Sequence, residues 1–152
     1  MLVAFASNSG LSSEYVDVIG LGDQDWDDNN LVDWDCNSCN LSGPIPSEIG
    51  NLNSLETLKL TNNDFQGSIP SEIGNLINLS NLRLSFNQLT GSIPSTIGDM
   101  TNLNIFYISN NKLTGSIPLE IGNLTNLTGG LFLSVNELSG EIPNNICQLP
   151  ID

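Results

Sequence analysis

No histidine occurs in this sequence, and lysine and arginine together number only three. Without an imidazole, neither a Ser-His-Asp nor a Cys-His arrangement can be built, which removes the commonest hydrolytic machineries. Carboxylate pairs can always be picked from 17 acidic residues, but none stands at a spacing that singles it out. A net charge of −14 repels phosphate backbones, and no basic stripe is present to hold nucleic acid or an anionic membrane surface. No apolar run is long enough to span a bilayer. Cysteine is scarce too: with three in all, no histidine and no second Cys-x-x-Cys pair, a structural zinc site is excluded. No cofactor is expected.

Only 13% of the residues are charged, so most of the polarity comes from Asn, Ser, Thr and Gly. Regularly spaced Leu and Ile can still bury a core, which argues for an ordered chain. Eight of the 17 acidic residues lie between Glu14 and Asp35, a stretch with no basic residue. This shift divides the chain into an acidic flank or degenerate cap over 1–30 and a repeat domain over 31–152. The start, Met1 to Ser7, carries the small-x-small pattern Ala4-Phe5-Ala6. It is too short for a signal peptide and has no basic n-region.

From Leu31 onward the sequence repeats every 24 residues. Ile45-Pro46 returns as Ile69-Pro70, Ile93-Pro94, Ile117-Pro118 and, one residue late, Ile142-Pro143. An asparagine returns as Asn63, Asn87, Asn111 and Asn136, and leucines or substitutes hold the remaining fixed slots. In the last coil, Thr128-Gly129-Gly130-Leu131 has one residue more than its predecessors, which predicts a bulge. Counting back reveals a degenerate first coil, with Leu31, Trp34 and Cys36 in leucine slots and Cys39 in the asparagine slot. Five coils result.

Each coil has a physical reading. The Leu-x-Leu alternation makes a short strand with apolar side chains inward, and successive strands lie side by side about 4.8 Å apart in a parallel sheet. The buried asparagine turns the chain out of the strand and bonds backbone groups of neighbouring coils. Next comes L-x-G-x-I-P, a second alternating segment that the proline ends. The following Ser-Glu-Ile-Gly-Asn-Leu is expected to make a helical or 3₁₀ turn closed by glycine. No coil can bury its face alone, so stability comes from stacking.

The run Asn87-Gln88-Leu89-Thr90-Gly91-Ser92-Ile93-Pro94-Ser95-Thr96-Ile97-Gly98 resembles the plant-specific leucine-rich-repeat consensus, over roughly residues 31–150. That family includes receptor-like kinase ectodomains and polygalacturonase-inhibiting proteins. Trp26, Trp34 and the Cys36/Cys39 pair are similar to parts of its N-terminal cap. The resemblance implies a right-handed, gently curved solenoid with one parallel sheet on the concave face and short 3₁₀ turns on the convex side. It also implies extracellular or cell-surface recognition of a ligand.

Exposed slots between the inward residues form a ladder on the concave face: Asp35, Lys59, Arg83, Tyr107 and Phe132, with Thr57, Asn81, Phe86 and Asn110 beside it. Cations there could hold a carboxylate or acidic sugar, and the aromatics could stack. Because exposed strand slots are free to vary, the same row can also arise by coincidence. Five strands of about five residues span roughly 400 Å². A standard protein interface needs about 800 Å² per partner, so the face suits a peptide end or an oligosaccharide better than a whole protein surface.

Other features leave alternatives open. Cys36 and Cys39 can be small buried residues or a disulfide in an oxidising compartment, with Cys147 left over. Sequons at Asn40, Asn78, Asn123 and Asn126 suit a secreted glycoprotein, though an Asn-Leu-Thr/Ser consensus generates them at no functional cost. Asp23-Gln24-Asp25-Trp26-Asp27 begins like an EF-hand loop, yet Asp28 stands where glycine is required and Trp34 where the bidentate Glu should be. Hydroxyls at Ser68, Thr90, Ser92, Thr114, Ser116 and Ser139 could order water in an ice-binding solenoid. Leu149-Pro150-Ile151 is an apolar coil end, which suits either further repeats or end-to-end self-association. A scaffold segment of a larger receptor ectodomain is the remaining alternative.

Overall fold

The structure is a computed structural model that describes residues 23–27 and 30–151. The expectations that fall on Met1 to Ser7, on the rest of residues 1–22 and on Asp28 lie outside the described residues. A first strand, β1 (Asp23–Asp27), precedes five coils that each contribute two strands. These are β2 (Asn30–Asp35) and β3 (Ser42–Gly43), β4 (Thr57–Lys59) and β5 (Asp64–Ser68), β6 (Asn81–Arg83) and β7 (Gln88–Thr90), β8 (Ile105–Tyr107) and β9 (Thr114–Gly115), then β10 (Leu131–Phe132) and β11 (Glu137–Leu138). Short 3₁₀ turns close the coils at Ser47–Asn51, Ser71–Asn75, Ser95–Asp99, Leu119–Asn123 and Asn144–Gln148.

The main sheet runs β1-β2-β4-β6-β8-β10, parallel throughout except for β1, which pairs antiparallel with β2. Its register follows the sequence period: Trp34, Leu58, Leu82, Phe106 and Leu131 are successive partners. Inward residues lock this register, because a slip of one residue would turn every leucine out. Leu60, Leu84 and Ile108 are fully buried, and Trp34 and Cys36 fill the first coil's leucine slots. A second run of short parallel pairings joins the L-x-G-x-I-P segments, β3-β5-β7 and β9-β11. Lys112 N–H to Leu89 C=O and Thr114 N–H to Gly91 C=O bridge the gap between these two groups.

The asparagine ladder performs the bridging its slot implies. Asn87 Nδ2 donates to Leu60 C=O in the preceding coil and to Leu84 C=O in its own, both at 3.0 Å. Its Oδ1 accepts the Phe65 N–H at 3.0 Å. Asn63, Asn111 and Asn136 repeat the pattern. Each amide therefore satisfies backbone groups that the turn leaves without partners inside the protein.

The glycine that follows each buried Ile has a different role from the expected turn closure. It sits within the 3₁₀ turn, whose C-caps are Leu52, Leu76, Met100 and Leu124. A Cβ on Gly98 would lie 2.5 Å from Glu120 C=O of the next coil, so the side chain is absent because the coils touch there. Cys147 occupies the same slot in the last described coil, and its side chain is exposed.

The extra residue of that coil is absorbed where expected. Gly130 takes φ +112°, and the Phe106 N–H bonds its carbonyl at 3.1 Å before the ladder resumes.

Candidate ligand-binding face

The predicted row is a true row. Register places Asp35 beside Lys59, Lys59 beside Arg83, Arg83 beside Tyr107 and Tyr107 beside Phe132. Its members are also engaged with one another. Lys59 Nζ lies 2.9 Å from Asp35 Oδ2, a half-exposed ion pair, and Asp35 also accepts a bond from Asn37 Nδ2 at 2.6 Å. Lys59 is therefore committed to its neighbour, which the row had presented as a free cation.

Arg83 is held differently. Its Nε donates to Asn81 Oδ1 at 3.0 Å, and its guanidinium carbon lies 5.2 Å from the Tyr107 ring centroid. The terminal guanidinium nitrogens make no hydrogen bond among the described residues, so the fork is oriented and open to an oxygen-bearing partner. Tyr107 and Phe132 stack with centroids 4.3 Å apart and planes 14° off parallel. The Tyr107 hydroxyl donates to Gly129 C=O at 2.8 Å, which ties the ring to the inserted bulge. Arg83, Tyr107 and Phe132 thus form one continuous stack of planar groups across three strands.

Phe86 stands outside that stack, on the turn beyond β6, with φ +56°. Toward the first coil, a cavity of about 350 Å³ is lined by Asp25, Asp27, Asn30, Val32, Ser54, Glu56 and Asn78. The sequence reading missed both this cavity and the Asp35–Lys59 pair. Spacing puts the two slots side by side, whereas the ion pair itself depends on side-chain conformation. The Asp23–Asp27 segment is an extended strand paired along β2, not the turned loop of an EF-hand.

Cys36 and Cys39 form a disulfide with Cα atoms 5.5 Å apart. This covalent link occupies the slot where later coils use asparagine. The four sequon asparagines are all exposed. Asn78 Nδ2 donates to Asn53 C=O at 2.7 Å and Asn126 Nδ2 to Thr101 C=O at 2.8 Å, whereas Asn40 carries φ +56°. The six hydroxyls of the second ladder are exposed as well. Ser68 pairs with Thr90, but Thr114 has Glu137 as its neighbour, so charge interrupts the row.

Stacked coils with one parallel sheet, a buried leucine core and a bridging asparagine ladder define a leucine-rich-repeat solenoid, on which a half-exposed row of cationic and aromatic groups is aligned. The chain belongs to the leucine-rich-repeat family: the profile described as leucine-rich repeat region matches residues 38–149. It is similar to a chain in the crystal structure of the BIR3–SERK2 complex from Arabidopsis thaliana, at 37% identity and a TM-score of 0.75, covering 84% of this chain and 71% of that one. It is likewise similar to the Arabidopsis receptor kinase HAESA in complex with the peptide hormone IDA and the co-receptor SERK1. There the identity is 45% and the TM-score 0.70, over 73% of this chain and 18% of that one. A plant ice-binding protein is 35% identical with a TM-score of 0.70, covering 81% of this chain and 41% of that one. No curated protein matches the chain. Among the described residues, no helix is long and apolar enough to cross a membrane.

Proposed function

We propose that this chain is a non-catalytic recognition module that binds a protein, peptide or glycan ligand across its concave face in an extracellular or cell-surface setting, a peptide being the form its size suits best. The supporting observation is the Arg83–Tyr107–Phe132 stack: a preoriented guanidinium with open nitrogens beside two ring faces, so little ordering is left for the ligand to impose. Similarity to an ectodomain in complex with a peptide hormone points the same way. In this reading β1 and the acidic flank cap the first coil, Asp35 is a positioning residue for Lys59, and the sequons carry surface glycans. End-to-end self-association belongs to the same proposal as an accessory property.

Linear peptides selected from a displayed random library on the wild-type protein serve as probes. The double variant Lys59→Glu/Arg83→Glu is expected to weaken them at least about tenfold, roughly 1.4 kcal/mol. Unchanged binding would dismiss the row as the site.

Ice binding is a second reading, favoured by the exposed hydroxyls and the likeness to an ice-binding protein. The Thr114–Glu137 pairing counts against it, because a carboxylate breaks the regular hydroxyl lattice. Inhibition of ice recrystallisation by the purified protein would favour it over the first reading.

A further inference from the structure

Every described coil places one non-glycine residue in the left-handed region just after its strand: Ser38, Asn62, Phe86, Asn110 and Val135, with φ between 55° and 61°. The ladder imposes this conformation. Asn62, Phe86 and Asn110 each donate their N–H to a carbonyl of the next coil at 3.0 Å. The carbonyls of Phe86 and Val135 accept the N–H of Asn63 and Asn111 in the preceding coils. Only the side chain is free to vary. Asparagine tolerates this region, a bulky phenylalanine does so poorly, and a β-branched valine worst of all.

Burial does not compensate for that strain, because Phe86 is 55% and Val135 68% exposed. Phe132, 54% exposed, stands in the same coil as Val135 and stacks on Tyr107. Phe86 and Val135 hold the same slot two coils apart, about 10 Å, and Phe132 precedes Val135 by three residues, so three of the six large hydrophobic side chains that are exposed among the described residues stand along one side of the concave face. Residues that cost the fold stability and stay in water are accounted for by contact with a ligand.

We infer that Phe86, Phe132 and Val135 form the specificity edge of this face, gripping apolar side chains of an extended peptide whose other end is basic. The inference rests on the concave-face reading above and names its ligand. Charge decides the second half. The cavity toward the first coil is lined by Asp25, Asp27 and Glu56 with no lysine or arginine, and the nearby Lys59 is taken by Asp35. The cavity lies toward the starts of the strands and Val135 beyond their ends. From Val135 to Glu56 is therefore three strand spacings across and about six residues along, a diagonal of about 25 Å that about seven extended residues cover. A peptide of that length meets the apolar edge at one end and carboxylates at the other.

The test uses the library-selected peptides and the variants Phe86→Asn and Val135→Asn, which install the residue already present at Asn62 and Asn110. The expected peptides are apolar at one end and basic at the other, and the double variant binds them at least about tenfold more weakly. Its Tm should hold within about 4 °C of wild type or rise, since about 1 kcal/mol moves a chain of this size about 2–4 °C. Wild-type affinity in the double variant, with binding lost in Arg83→Glu, would overturn the edge and leave the concave face standing. Affinity retained in both would overturn the face itself. A larger fall in Tm would show that these side chains serve the fold and refute the inference. So would a wild-type dimer dissolved by Val135→Asn, because a second copy would then be the occupant.

Discussion

Replacing Asn87 by alanine tests the ladder that holds the coils in register. The substitution removes the only acceptor of the Phe65 N–H, a buried amide, and one of two asparagine donors to each of Leu60 C=O and Leu84 C=O. The orphaned amide costs about 1–3 kcal/mol, and each lost bond to a carbonyl that keeps its second donor about 0.5–1.5 kcal/mol. Together these give about 2–6 kcal/mol. With a urea slope of about 2 kcal/mol per molar, the middle of the usual range for small proteins, the unfolding midpoint should fall by about 1–3 M. Asn136→Ala is the internal comparison. Asn136 makes the same bonds, but it is half-buried in the last described coil, where water reaches the vacated slot. It should cost about half as much. Equal midpoint shifts for the two variants, or a shift below about 0.3 M for Asn87→Ala, would refute the view that bridging between buried backbone groups sets the coil-to-coil stability.

Gly98→Ala should destabilise by about 1–3 kcal/mol, because the new Cβ would stand 2.5 Å from Glu120 C=O and the coils would have to part. Cys147→Ala, in the equivalent but exposed slot, should shift the melting midpoint by no more than about 2 °C. Reduction of Cys36–Cys39 opens a loop closed over three positions, which the chain-entropy relation values at about 2 kcal/mol. Dithiothreitol should therefore lower Tm by about 4–8 °C without changing the slope of urea unfolding beyond the first coil's share. An unchanged Tm would mean that the disulfide contributes nothing where later coils use asparagine.

The coil was legible because burial repeats. A leucine slot tolerates little besides another large apolar side chain, so Leu58, Leu82 and Phe106 announce their shared environment, and Trp34 and Cys36 are still recognisable in it. The same constraint located the insertion at Gly129–Gly130. What the period hides is anything decided between coils. Gly98 is as regular as the leucines, yet regularity alone does not tell a tight turn from a close approach, and the contact is with a residue 22 positions away. The second ladder pairs residues 22 apart, Ser68 with Thr90, or 23 apart across the inserted residue, Thr114 with Glu137, so hydroxyls from different slots of the repeat meet and a carboxylate enters their row. The half-exposed row was legible as a row because it shares the strand register, but its chemistry was not. Whether Lys59 is free or paired, and whether Tyr107 lies flat against Phe132, depends on rotamers that no spacing encodes.

The inserted glycine shows how the two kinds of information meet. Had the extra residue stayed in the strand, residues beyond it would have changed faces, with Phe132 turned inward and Leu131 and Leu133 outward. The apolar pattern forbids that, so the extra residue is expelled to the loop before β10, where Gly130 accepts φ +112°. There Gly129 presents a carbonyl to the Tyr107 hydroxyl at 2.8 Å. That bond fixes the ring that Arg83 and Phe132 flank. The departure from the repeat is therefore part of the proposed binding face, and it can be so only because the core residues around it do not yield.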